Sequence, residues 1–206
     1  LSMLPIKSKY KIAKRLGAGI FEQTQTQKFA LSDARSKKKI RRGGRGGSDY
    51  GRQLLEKQRV RYTYGISERQ LSNYAKEAYK APDPSTTLHR SLEMRLDSVA
   101  YRAGLASTRR AARQLVSHGH VLVNEKRTTI PSYRMQKGDS ISVREGSRRS
   151  ALFLHLTGEG EEAIRNIPKW LTCDFGVLRV DVVGEPLYTQ GEATLDYPTV
   201  FEFYSR

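Results

Sequence analysis

From Leu92 to Val143 the chain reads LEMRLDSVAYRAGLASTRRAARQLVSHGHVLVNEKRTTIPSYRMQKGDSISV, and its architecture is set within that run. Leu92, Leu96, Val99, Ala100 and Ala103 recur at spacings of three and four, which predicts a helix with one apolar stripe. Gly104 supplies the left-handed residue that ends it. Ser107 or Thr108 then caps a second helix, with Ala112, Leu115 and Val116 facing inward. Arg109, Arg110 and Arg113 lie on the other side, three guanidiniums at helical spacing. Gly119 stops that helix. Val121 and Val123 alternate with Leu122, and Ile141 and Val143 alternate with serines after a turn at Lys137-Gly138-Asp139, so short strands follow. The product is a helix pair on a small sheet, with one helix face left basic.

Three like charges on one face repel each other, so the face calls for an anion. Arginine suits phosphate, because its planar fork grips two oxygens at once. At this point the residues carry a family likeness. LEMRLDSVAYRAGLASTRRAARQLVSHGHVLVN followed by IPSYR resembles the RNA-binding domain named after small-subunit ribosomal protein four. The likeness continues upstream through GSDYGRQLLEKQRVRYTYGISERQLSNY, which that domain alone does not contain, and returns in the final VFEFYSR. It therefore points to the full ribosomal protein of bacterial or organellar type.

The charge balance agrees with a polyanionic partner. The 206 residues carry a formal net charge of +16, unevenly spread. Residues 1–61 hold 17 Lys/Arg against 4 Asp/Glu, a net of +13, and residues 62–152 hold 16 against 8, a net of +8. Residues 153–206 hold 4 against 9, a net of −5, and are expected to face away from that partner or toward a basic protein. The single cysteine, Cys173, excludes a disulfide framework and a cysteine-only zinc site. No stretch approaches the roughly 18 apolar residues of a membrane span. The start, Leu1-Ser2-Met3-Leu4-Pro5, does not read as a signal peptide, and Met3 fits a natural start.

The fold class expected is α+β: a helical domain with an inserted helix-pair-plus-sheet RNA-binding module and a basic N-terminal extension. The expected divisions are 1–47 for the extension, 48–91 plus about 150–206 for the helical domain, and 92–149 for the module. Within the extension, Ser8 to Leu16 predicts a short basic helix, and Lys37 to Gly47 lacks the apolar surface to order itself. Ser48 or Asp49 starts a helix to Tyr64, closed by Gly65, burying Leu54 and Leu55 along with parts of Tyr50 and Tyr62, with Lys57, Arg59 and Arg61 outward. Ser67 and Gln70 form a capping box for a helix whose stripe is Leu71, Tyr74, Ala75, Ala78 and Tyr79. Leu88, Leu92 and Leu96 keep a period of four, which predicts one helix from Ser85 to Ala103 shared by both domains. Beyond Val143, Ala151–Leu156 and Glu159–Ile167 read as short helices. Trp170 reads as a surface anchor, Leu178–Val182 as a strand, and Phe201–Phe203 as a final extended stretch.

Catalytic chemistry is not indicated. His118 and His120 are close in sequence, but no carboxylate or cysteine set joins them as a metal site. No glycine-rich nucleotide loop or nucleophile elbow is present. Modules of this kind are also appended to pseudouridine synthases and tRNA synthetases, but those need a large catalytic domain that the rest of this chain lacks. A free-standing RNA-binding stress protein would lack the helical domain and the long basic extension. Some members of the resembled family carry a cysteine-rich zinc site in the extension; here no cysteine precedes Cys173, so no metal or cofactor is expected.

The residues expected to contact rRNA are Lys37, Lys38, Lys39, Arg41, Arg42, Arg45, Arg52, Lys57, Arg59, Arg61, Arg109, Arg110, Arg113, His118, His120, Arg148 and Arg149. Recognition is expected through shape and phosphate position, since side chains cannot read the deep groove of A-form RNA. The resemblance implies small-subunit rRNA and neighbouring small-subunit ribosomal proteins as partners, mRNA where it enters the subunit, and no membrane. It also implies nucleating binding to the 5′ domain of the rRNA, an influence on decoding accuracy, and a place in the small subunit of the cytoplasm or of an organelle's matrix or stroma. One departure is visible: family members often have glycine after the asparagine of the VN turn. This chain has Asn124-Glu125-Lys126-Arg127, for which a looser turn is expected.

Overall fold

A computed structural model describes residues 6, 8–37, 48–150, 152–153, 167–189 and 194–205, with the side chains of Ala18, Ser36 and Lys37 left aside. The described residues up to Leu88 and from Tyr188 onward form one compact unit; His89–Leu187 form the other. The class is mixed α and antiparallel β.

In the first unit, α1 (Lys9–Leu16) ends at Gly17, whose φ of +111° a glycine adopts without penalty. Two 3-10 turns, Ala18–Ile20 and Glu22–Thr24, lead to α2 (Gln27–Lys37). Ala13, Phe21 and Phe29 are buried together, with Ile6, Ile12, Ile20 and Tyr62 packed around them. Over residues 8–37, then, the segment is not a bare extension: it has its own apolar cluster, closed by Tyr62 of the next helix. The expected disordered run from Lys38 to Gly47 lies outside the described residues.

Helix α3 (Asp49–Tyr64) starts where Ser48 accepts the Gly51 N–H and ends at left-handed Gly65. Its register differs from the expected one. Gln53, Lys57, Val60 and Tyr64 are buried, while Leu54 and Leu55 are only half-buried. Helix α4 (Glu68–Ala78) opens with the Ser67–Gln70 capping box and buries Leu71, Tyr74, Ala75 and Ala78. Tyr79 falls at its C-cap and is exposed. The final segment is not extended. It is a helix (Tyr197–Tyr204, numbered α9 below), because Asp196 caps it by accepting the Thr199 N–H and hydroxyl and Pro198 suits its first turn.

The expected single helix from Ser85 to Ala103 is broken. Helix α5 (Pro84–Glu93) stops, and α6 (Leu96–Arg102) restarts after Arg95, whose ψ of 141° is extended. A returning chain segment takes the hydrogen bonds that continuity would have made. Leu96 N donates to Tyr133 O at 2.8 Å, Asp97 N to Pro131 O at 3.1 Å, and Met135 N to Met94 O at 2.8 Å. Arg95 and Arg134 form an antiparallel bridge there.

Helix α7 (Arg109–Ser117) is capped by Thr108, not Ser107. It packs with α6 on one sheet of order β2-β1-β3-β5-β4, all antiparallel: β1 Val121–Val123, β2 Lys126–Arg127, β3 Ser140–Val143, β4 Leu171–Asp174, β5 Arg179–Val182. A short helix α8 (Glu145–Arg148) follows β3. The core is Leu96, Val99 and Ala100 of α6, Ala112, Leu115 and Val116 of α7, and the inward residues of every strand but β2. The expected return of everything after about residue 150 to the helical domain does not occur. Residues 171–182 add two strands to this sheet, because Leu171, Val180 and Val182 need its apolar face. The expected helices at 151–156 and 159–167 fall almost wholly outside the described residues.

The VN turn is tight. Val123 pairs with Lys126 across two residues, with Asn124 at φ +48° and Glu125 at φ +66°, as a type I′ hairpin requires. Asn124 tolerates this well, and its side chain donates to Asp139 and accepts the Ser140 N–H. Glu125 has no such compensation in its backbone conformation. Glu125→Gly is expected to raise the stability of the module by about 0.5–1 kcal/mol. A urea denaturation midpoint that stays level or falls would contradict this.

Candidate nucleic-acid interface

The arginines of α7 divide into two populations. Arg113, expected to be solvent-facing, is buried beside Asp97, with Nη1 3.8 Å from Oδ2 and its side chain 7% exposed. Asp97 is also gripped at 2.9 and 2.7 Å by Nε and Nη2 of Arg95, which is 0% exposed. Arg109 lies over the Tyr101 ring and donates to Glu93 at 3.0 Å. Glu93, itself buried, accepts two bonds from Arg102 at 2.7 and 2.8 Å. Four guanidiniums thus meet two carboxylates, Arg95 and Arg113 on Asp97 and Arg102 and Arg109 on Glu93, on either side of the helix break. Only Arg110 of the three expected arginines is exposed.

A second cluster gathers at the C-terminal end of α7. Arg127 Nη2 approaches His118 O at 3.5 Å, and its guanidinium occupies the space a Cβ would take at left-handed Gly119. Cations there also meet the negative end of the helix dipole. The His118 and His120 rings lie 5.9 Å apart, and His120 Nδ1 is 3.0 Å from Ser147 Oγ. Arg144 N donates to His120 O, because the Val121↔Val143 pairing sets the strand-flanking residues side by side. Burial holds the His120 pKa below its ordinary value, and nearby His118, Arg144 and Arg127 push it the same way. Positive charge is therefore concentrated at this spot. Arg148 and Arg149, on and after α8, are exposed beyond it.

The sequence reading missed Lys126, Arg127 and Arg144. Each flanks or forms a strand too short to recognise alone; the β1–β2 register places Lys126 and Arg127, and the β1–β3 register places Arg144.

In the first unit the expected cations are differently engaged. Lys57 is buried, 2.9 Å from Glu68 Oε1 and 4.1 Å from the Phe203 ring centroid. Arg59 donates to Leu16 O and to Glu56. Arg61 bonds Gln58 and lies 3.9 Å from Glu68. Tyr204 also donates to Glu68, and burial raises its pKa. Arg52 is exposed, loosely paired with Asp49 at 3.7 Å. The side chain of Lys37, and Lys38, Lys39, Arg41, Arg42 and Arg45, lie outside the described residues.

Among the described residues no group of three or more His, Cys, Asp or Glu is placed to hold a metal. Burial pushes the Cys173 thiol up to about 11, so it stays protonated at neutral pH. No helix of the described residues is long and apolar enough to cross a membrane.

The profile of the Ribosomal protein S4/S9 N-terminal domain matches residues 6–94, and that of the S4 domain matches residues 94–141. Small ribosomal subunit protein uS4 of Roseiflexus sp. (strain RS-1) is 42% identical over 199 residues, 95% of this chain and 96% of that protein. The protein of the same name from Rhodococcus opacus (strain B4) is 46% identical over 160 residues, 77% of this chain and 79% of that protein. The one from Chloroflexus aurantiacus (strain ATCC 29366 / DSM 635 / J-10-fl) is 38% identical over 197 residues, 95% and 96% respectively.

The buried network sets an expectation for stability. Asp97→Ala removes the buried carboxylate that Arg95 and Arg113 both face and is expected to cost about 3–5 kcal/mol. Arg113→Ala is expected to destabilise too, by about 1–3 kcal/mol. Denaturant titrations of the full chain check both; an Asp97→Ala midpoint equal to wild type would contradict the structural role of the network.

Proposed function

Because the chain belongs to the family of small ribosomal subunit protein uS4, we propose that it is a structural constituent of the small ribosomal subunit that grips small-subunit rRNA through phosphates. Family membership makes it a structural protein without catalytic turnover. The observation that carries the phosphate-gripping reading is the exposed cation cluster around the end of α7. Around that end His118, Lys126, Arg127, Arg144, Arg148 and Arg149 are exposed, and His120 is half-buried among them; Arg110 is exposed in the first turn of the same helix. The cluster offers cations on rigid elements, and the rings among its named residues are the imidazoles of His118 and His120. That composition suits shape-specific recognition of folded RNA. Arg109, Arg113 and Lys57 serve this reading indirectly, by holding α7 and α3 in place. Arg52, Arg59, Arg61 and the basic run from Lys37 to Arg45 add charge to it.

The same reading includes neighbouring small-subunit proteins as partners, nucleation of the 5′ domain and a contribution to decoding accuracy. It also includes mRNA contact where the message enters the subunit, and a place in the small subunit of the cytoplasm or an organelle. The family likeness supports these.

Salt dependence tests the phosphate grip. Each phosphate contact contributes about 0.7–0.9 to the slope of log affinity against log salt. Arg144→Ala and Arg110→Ala are each expected to weaken binding to a folded 5′-domain rRNA fragment and to flatten the slope by about one contact. Lys57→Ala is expected to lower stability and leave the slope unchanged. Filter binding across a salt series reads all three. An unchanged slope with lost preference for one base would show that the cluster reads sequence instead.

A further inference from the structure

A pocket of the second unit shares no lining residue with the cation cluster. It measures about 540 Å³, within the usual size of small-ligand sites. Its lining combines His89, Glu93 and Arg102 with Lys169, Trp170 and Leu187. We propose that it receives a single unpaired nucleotide of RNA, the base against Trp170 and its phosphate on Arg102 and Lys169. This rests on the reading of the chain as an rRNA-binding protein.

Several observations point to that ligand. Trp170 is the chain's only tryptophan, and it is half-buried. Its carbonyl accepts the Val183 N–H at 3.0 Å and the Gly184 N–H at 3.2 Å, so the indole is carried on an anchored backbone. Aromatic side chains of this kind stack on any base. Arg102 is a held cation: Nε and Nη2 are both committed to Glu93, yet the side chain remains 40% exposed. A guanidinium fixed in this way loses little freedom when it meets an anion. Lys169 is exposed beside Trp170 and adds a second charge.

The two carboxylates of the lining are already matched. Glu93 is paired with Arg102 and Arg109, and Glu185 with Arg90 at 2.9 Å. Their repulsion of a phosphate is offset. His89 is held below its ordinary pKa chiefly by burial, so at neutral pH its uncharged ring is able both to donate and to accept at a base edge. A peptide with an apolar side chain would use Leu187 and Trp170 but not the two cations. With Arg90 and Arg109 paired onto the two lining carboxylates, the cations Arg102 and Lys169 favour the nucleotide.

The lone tryptophan makes the test direct. The full chain is titrated with adenosine 5′-monophosphate while Trp170 fluorescence is followed. The expected result is a saturable change that adenosine and inorganic phosphate alone reproduce only weakly. Lys169→Ala, a substitution of an exposed side chain, is expected to weaken it several-fold. Trp170→Ala is expected to weaken binding of a short single-stranded RNA about tenfold by calorimetry, with the circular dichroism spectrum retained. No fluorescence change, or one that Lys169→Ala leaves intact, overturns the proposal. So does a change produced by small-subunit proteins but not by the nucleotide. Binding of a labelled folded rRNA fragment is measured separately. If that fragment binds while Trp170 stays silent to nucleotide, the pocket assignment fails and the rRNA reading stands; if it does not bind, the rRNA reading fails.

Discussion

The second unit depends on a buried set of charges. Burying an ion is expensive, and a buried pair persists only when its geometry is close to ideal. Asp97 and Glu93 meet that demand by each taking a two-pronged grip from an arginine, Arg95 and Arg102. The break between α5 and α6 makes this possible. A continuous helix would place Glu93 and Asp97 four residues apart on one face, with Arg95 on the other side of the axis. The extended Arg95 swings its guanidinium back onto Asp97 instead, and the residues 131–135 close over the break. Arg109 and Arg113 then lock α7 onto the same two carboxylates.

This arrangement decides which cations are left to meet a partner. A helix face that looks uniformly basic is split by it into buried structural arginines and an exposed Arg110. The exposed cations come mostly from elsewhere: from a two-residue hairpin, from the end of a strand and from a short exit helix. They gather at the C-terminal end of α7, where the helix dipole favours positive charge. Close packing of so many cations is tolerable while water and salt screen them, and it is relieved further when phosphates arrive.

The first unit shows the same conversion. Glu68 draws Lys57 into the interior with the help of Phe203 and Tyr204, and α9 completes the cover over α3. The register of α3 differs from the one that would bury Leu54 and Leu55 with parts of Tyr50 and Tyr62, because Lys57 finds partners inside. A lysine with a carboxylate and an aromatic face within reach competes successfully with a half-buried leucine.

What the sequence determined by itself was local. Caps at Ser48, Ser67 and Thr108, glycine stops at Gly17, Gly65 and Gly119, and the alternation in Val121–Val123 and Ile141–Val143 act over three or four residues, and they appear as read. So did the family likeness, which lies in the order of such signals. The tertiary structure alone decided the break at Arg95, the recruitment of residues 171–182 into the sheet, and the burial of Arg113 and Lys57. Each of these depends on a partner distant in the chain: Tyr133 for Leu96, β3 for β5, and Asp97 and Glu68 for the two cations. A charged side chain is written the same way in the sequence whether it meets water or a buried carboxylate, and the difference in solvation free energy is settled only when the chain closes around it.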